Sequence, residues 1–181
     1  MIWIVWTVLS LLALYGAWVF NRLVSDRNLV RQAFADIDVQ LKRRADLVPR
    51  LVEVVKAYAA YERATLTAVT ELRSRIDATQ AGPSTRRFEL ESGLGDALSR
   101  LIVLQEKYPQ LKADAQFRDL AARLVEVEDH LQYARRFYNG AVKQYATRLQ
   151  MFPELLVARL FAFKPAAFFA SDERAAVQVQ L

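Results

Sequence analysis

The chain opens on an uninterrupted apolar run, MIWIVWTVLSLLALYGAWVF, broken only by the hydroxyls of Thr7 and Ser10 and by amphipathic Tyr and Trp. At ~1.5 Å of rise per residue, a helix of that length matches the ~30 Å hydrocarbon core of a bilayer. The pattern then changes period. From Asn28 the apolar positions are Val30, Phe34, Ile37, Leu41, Val48, Leu51, Val55, Tyr58, Val69, Leu72 and Ile76, spaced by threes and fours with gaps around Arg44 and Glu62. Such spacing draws one stripe along a helix. Phe88, Leu94, Leu98, Leu101, Ile102 and Leu104 offer an inner face for a further helix from about Ser84 to Tyr108. Phe117, Leu120, Leu124, Val127, Leu131, Tyr138, Val142, Tyr145 and Leu149 continue the spacing in a still longer one.

Punctuation divides these stripes. Gln80-Ala81-Gly82-Pro83-Ser84 stops one helix and offers Ser84 as the next cap, Pro109 marks a corner, Asp114 can cap the long helix and Pro153 ends it. Gly93 and Gly95 weaken the middle of the helix that contains them. Pro49 falls inside the first stripe, where it removes a backbone donor and disfavours helix at Val48. Two outcomes fit: Asp46 to Pro49 ends one helix and caps the next, or one long helix is kinked. The expected fold is all-α, a single N-terminal transmembrane helix (1–21) followed by an antiparallel bundle of long helices, four in number (22–152). An apolar C-terminal tail (153–181) then packs on the bundle or lies at the membrane interface. In a four-helix arrangement the last helix ends near the face where the first begins.

Charge sharpens the membrane reading. There are 45 Lys, Arg, Asp and Glu side chains, and the first is Arg22. No basic stretch precedes the apolar run, and Trp18, Val19 and Phe20 stand where a signal peptidase needs small residues, so an uncleaved anchor is expected, made by Trp3, Trp6, Leu11, Leu12, Trp18 and Phe20, with the indoles toward the two interfaces. Basic residues following the span favour N-terminus out and the bundle in the cytoplasm. Residues 61 to 140 balance at twelve basic and twelve acidic groups, so the net excess of +5 collects at the two ends of the soluble part. Those ends are the membrane side, which points to anionic lipid rather than nucleic acid, with Arg22, Arg27, Arg31, Arg159 and Lys164 as a lipid-facing basic rim. Leu155, Leu156, Val157, Leu160, Phe161, Phe163, Phe168 and Phe169 make the tail apolar enough for either core or interface.

Reaction chemistry is sparse. Cysteine is absent and His130 is the single histidine, which excludes disulfides, thiolate metal sites and a paired Glu-x-x-His di-iron site. Glu126, Glu128, Asp129 and His130 are a dense ionisable cluster, but successive helical residues point in different directions, so a solvated face is the expected reading. No Gly-x-Ser-x-Gly elbow and no Gly-rich phosphate loop is present. No enzyme, cofactor or metal is expected; the expected partners are the bilayer and a protein or a second copy of the chain.

The segment Ile37-Asp38-Val39-Gln40-Leu41-Lys42-Arg43-Arg44-Ala45-Asp46-Leu47-Val48-Pro49-Arg50-Leu51-Val52 closely resembles the LemA family. So do Tyr108-Pro109-Gln110-Leu111-Lys112-Ala113, Arg135-Arg136-Phe137-Tyr138-Asn139 and Phe152-Pro153. Arg50 and Ala146 depart from it, standing where the family commonly carries Asn. The resemblance implies a membrane-anchored helical bundle acting in interaction or scaffolding in the bacterial envelope, and it implies no activity. From the residues alone, the motif positions Asp38, Gln40, Arg43, Arg44, Asp46, Pro49, Tyr108, Pro109, Arg135, Tyr138, Asn139, Phe152 and Pro153 read as structural. Asp38 can pair with Lys42, Asp46 can cap, and Tyr138-Asn139-Gly140 can admit a close helix contact with Tyr and Asn hydrogen-bonded across it.

Overall fold

The computed structural model describes residues 1–169. Its first helix, α1 (Ile2–Tyr58), has 57 residues and an extent of about 85 Å at the ordinary helical rise. Along its first eighteen residues the side chains are almost all bare, and this stretch is long and apolar enough to cross a membrane. From Val19 onward a stripe turns inward through Leu23, Val30, Ala33, Ile37, Leu41, Val48, Leu51 and Val55. The apolar segment and the bundle's first helix are therefore one continuous helix.

Pro49 lies inside α1 and neither ends it nor frees Asp46 to cap a new helix. A proline at an internal position costs roughly 3 kcal/mol. Val48 and Leu51 on either side of it are buried, each contributing about 1.5–3 kcal/mol of apolar burial, and Pro49 itself faces solvent. Packing overrides the local signal. The break comes instead at 59–62, after which α2 (Arg63–Asp77) folds back, followed by α3 (Thr85–Val103), a 3-10 turn (Leu104–Glu106), the single-turn α4 (Pro109–Ala113) and α5 (Ala115–Gln150). The caps lie where the sequence puts them: Ser84 Oγ accepts from the Arg87 N–H, and Asp114 Oδ1 accepts from the Phe117 N–H at 2.7 Å. α3 stays helical through Gly93 and Gly95 and gives way to the 3-10 turn before Tyr108.

Contacts of Asp26 with Gln144 and Arg148, of Arg44 with Glu128 and of Tyr58 with Asp114 show α5 running antiparallel to α1 along its whole length. Contacts of Asp38 with Arg87 and Arg44 with Glu91 set α3 parallel to α1. α1, α2, α3 and α5 thus form an up-down-up-down bundle, all-α among the described residues. The core has two parts. A distal part gathers Val48, Leu51, Val55, Val69, Leu98, Leu101, Leu111 and Phe117; a proximal part gathers Val19, Leu23, Ile37, Phe88, Leu131, Tyr138, Val142 and Tyr145.

The shorter helices α2 and α3 cover the distal part, and α3 reaches the proximal part only with Phe88 in its first turn. The proximal half of the α1–α5 pair is covered by α6 (Glu154–Leu160) and the extended segment behind it. Ala158 and Phe169 are buried there, and Phe163, Ala166, Ala167 and Phe168 pack against them. The apolar tail thus divides: Phe169 is core, whereas Leu156, Leu160 and Phe161 are exposed. Residues 170–181 of the expected tail lie outside the described residues.

Candidate functional site

Four groups of polar residues interrupt the apolar packing, and three buried charges among them sit where the helical stripe calls for an apolar side chain. Arg44 falls between Leu41 and Val48, Glu91 between Phe88 and Leu94, and Asp26 between Leu23 and Val30. Arg44 is fully buried. Its Nη2 donates to Glu91 Oε2 at 2.5 Å and to the Glu91 carbonyl at 2.9 Å, while Nη1 donates to Glu128 Oε1 at 2.7 Å. One guanidinium thereby ties α1, α3 and α5, using the planar fork that a lysine lacks. Arg87 extends the network from Glu91 to Asp38, at 3.9 and 2.6 Å, so Asp38 pairs across helices rather than with Lys42. Gly95 lies beside it: a Cβ there would stand 3.4 Å from Arg44 Nη1, at ordinary contact distance. The network separates the two apolar cores. The other residues of the same motif lie outside it, with Arg43, Asp46 and Pro49 exposed and Gln40 half-buried.

The second group holds the tail. Tyr138 Oη donates to the Ala167 carbonyl at 2.7 Å, and Asn139 both donates to the Phe169 carbonyl and accepts from the Phe169 N–H, each at 2.9 Å. Burial pushes the Tyr138 phenol up to about 12. The Arg135 guanidinium lies 4.3 Å over the Phe169 ring. The expected cross-helix role of this motif is thereby corrected: Tyr138 and Asn139 bond the tail's backbone, and Gly140 faces open space with nothing close enough to require a glycine.

At the distal end, Lys107 and Tyr108 both donate to Glu62 Oε1, at 2.6 and 2.9 Å, and Tyr58 donates to Asp114. Pro109 takes the first position of α4. Lys107 first and Tyr108 second hold the Glu62 carboxyl below its ordinary value; the Phe117 N–H, then Tyr58, do the same for Asp114. A carboxylate with a lowered folded pKa stabilises above its unfolded value, and that contribution disappears as pH falls through the folded one. Acidification below about pH 4 is therefore expected to loosen this end first. Pepsin should cut within 59–62 before it cuts in α5; simultaneous cleavage would contradict this.

The end next to the apolar start of α1 carries the fourth group. Asp26 is buried, bound by Gln144 at 3.0 Å and Arg148 at 2.5 Å. Burial raises the Tyr145 phenol beside it, against the opposing effect of Arg27 and Arg31. Of the expected basic rim, Arg22, Arg31, Arg159 and Lys164 are exposed, but Arg27 turns inward, 5.2 Å over the Phe163 ring. Of the expected anchor residues, Trp3, Trp6, Leu11, Leu12 and Trp18 are bare. Phe20 is not among the bare ones, because its ring packs on Phe161 and Phe163, at 4.8 and 5.7 Å. Phe152 is exposed, and Pro153, joined to it by a cis peptide, opens α6. His130 and Glu126 lie 3.7 Å apart on the solvent side of α5.

Asp26, Glu91 and Glu128 do not stand out from the sequence by motif. The signal available was their register, since a charged residue at a stripe position is either buried with a partner or marks a break in the helix.

Residues 33–181 match the model of the LemA family. Among curated proteins the chain is 24% identical over 174 residues to magnetosome protein MamQ 1 and to MamQ 2 of Paramagnetospirillum magneticum, alignments that cover 83% of this chain and 64% of the relative. It is 26% identical over 162 residues to protein LemA of Metamycoplasma hominis, covering 88% of this chain and 72% of that protein. The chain thus spans less than two thirds of the MamQ proteins' length. With the family model extending over most of the bundle and through the tail, the chain belongs to the LemA family.

Proposed function

We propose that this chain is a non-enzymatic, single-pass membrane protein of the bacterial envelope whose helical bundle docks a protein partner or a second copy of itself. The observation that carries the reading is the continuity of α1. Bare apolar residues through Trp18 pass without a linker into the buried stripe that starts at Val19, so the bundle stands on the bilayer in a set orientation and presents fixed sides. On its outer side α5 exposes Tyr133 at 67% and Phe137 at 55%, one turn apart, outside the stripe that packs the core. The buried ionisable groups are engaged with one another, which favours a structural role for them over chemistry.

The basic groups after the span favour N-terminus out and the bundle in the cytoplasm. A photocrosslinking residue at Phe137 in the full-length, membrane-embedded chain is expected to give a discrete adduct that weakens on Tyr133→Ser. Recovery of the monomer alone would count against docking, and protease digestion of the bundle from outside intact cells would reverse the orientation.

A further inference from the structure

From the membrane-proximal end we infer that α6 and the corner before it form an interfacial foot, seated in the headgroup region of the bilayer and selective for anionic phospholipid. The inference rests on the reading that the start of α1 crosses the membrane. Height is the first argument. Phe20 closes the apolar run, so it marks the level of the water–hydrocarbon boundary, and its ring touches Phe161 and Phe163. α6 is therefore held at that boundary.

Composition at that level is the second argument. Phe152, Leu156, Leu160 and Phe161 are exposed there, Leu160 by 77% and Phe152 by 78%, and the Phe161 ring meets Phe20 at the end of the apolar run. Leu156 and Leu160 lie one turn apart, on the side of α6 away from its buried Ala158. Side chains of this size are stabilised by entering the boundary between headgroups and acyl chains.

Charge is the third. Arg22, Arg159 and Lys164 are exposed around this surface and outnumber the one carboxylate of α6, Glu154, while buried Asp26 is already engaged by Arg148. Arg159 and Lys164 also flank a groove of about 350 Å³ floored by Ala146, Leu149, Ala158 and Phe163, apolar below and cationic at the mouth. That order of chemistry matches a phospholipid whose phosphate is at the rim and whose first methylenes lie on the floor. The foot accordingly comprises α6 and its flanks; Phe169 belongs to the core instead.

The sequence contains no cysteine, which makes single-cysteine labelling direct. Leu160→Cys, Leu11→Cys and Tyr61→Cys chains, each carrying an environment-sensitive fluorophore, would be reconstituted at full length in vesicles of phosphatidylcholine and phosphatidylglycerol. Expected are strong quenching at position 160 by lipids spin-labelled near the headgroup, strong quenching at position 11 by lipids labelled deep in the chain, and none at position 61. Quenching at 11 without quenching at 160 overturns the foot and leaves the anchor standing; no quenching at either overturns the anchor as well. Shielding of position 160 that vanishes when the protein is diluted in the membrane would assign the surface to a second copy and overturn the lipid assignment. Brominated phosphatidylglycerol should quench position 160 at least about twofold more than brominated phosphatidylcholine, and Arg159→Gln with Lys164→Gln should remove that difference. Equal quenching by the two lipids in the parent chain overturns the anionic selectivity.

Discussion

Replacing Arg44 with methionine is expected to lower the stability of the bundle by about 3–5 kcal/mol, the range for removing one partner of a buried ion pair. The methionine fills much of the space, so a cavity contributes little. The loss arises because Glu91, 3% exposed, and Glu128 are left facing each other without the cation that neutralises both. Against a total of ~5–15 kcal/mol for a domain this is a large fraction. At roughly 2–4 °C per kcal/mol, thermal unfolding of the detergent-solubilised chain, followed by its helical circular dichroism, should shift down by about 6–20 °C. Arg44→Lys should recover only part, since a single ammonium does not reproduce contacts to Glu128, the Glu91 carboxylate and the Glu91 carbonyl together. Removing the carboxylates as well, with Glu91→Met and Glu128→Leu, should restore stability to within about 1 kcal/mol of the parent, because three apolar residues need no partner. An unchanged melting point for Arg44→Met would show that water reaches the site and that the network is not a stabilising junction.

Phe169→Ala should be the most damaging change in the tail, at up to about 3–5 kcal/mol, the range for truncating a buried phenylalanine. The ring is fully buried 4.2 Å from that of Phe88, and its backbone is bonded on both sides by Asn139. The tail can detach locally, so the measured loss is limited to the free energy with which it docks. Detachment uncovers Tyr138, whose pKa should then fall from about 12 toward that of a free phenol, a change visible in its alkaline absorbance titration. The sign of the linkage is definite. A phenol with a raised folded pKa stabilises fully below its unfolded value near 10, and that contribution is lost as pH rises through about 12. The parent chain should therefore release its tail to proteases across that window, whereas Phe169→Ala should be cleaved there already at neutral pH. Equal resistance of the two at neutral pH would mean that Phe169 does not secure the segment.

Much of the architecture was legible in the residues. An apolar run free of charge to Arg22, stripes spaced by threes and fours, Ser84 and Asp114 as caps and Pro109 as a corner are local signals, and local hydrogen bonding and solvent exposure decide what they do. They were sufficient for an all-α bundle carrying a helix able to cross a membrane. Pro49 and Asp46 carry equally local signals for a helix boundary, yet α1 continues through them. The deciding term there is the burial of Val48 and Leu51 against other helices, which lies outside any sequence window.

The candidate sites depended still more on tertiary structure. Arg44 was visible as a gap in a stripe, but its partners lie 47 and 84 positions away. Only the register of three packed helices brings them within hydrogen-bonding distance. Tyr138 and Asn139 were visible as motif residues, and the sequence alone placed their contacts across a helix pair. In the fold they hold the tail, because α2 and α3 are too short to cover the proximal half of the α1–α5 pair and the chain's later residues fill that place. The sequence by itself determined that the chain is helical, where Ser84 and Asp114 cap its helices and where the apolar surface begins. Which apolar and charged residues become core, junction or exposed foot was decided by the relative lengths and registers of the packed helices, since burial and ion pairing are properties of neighbours in space.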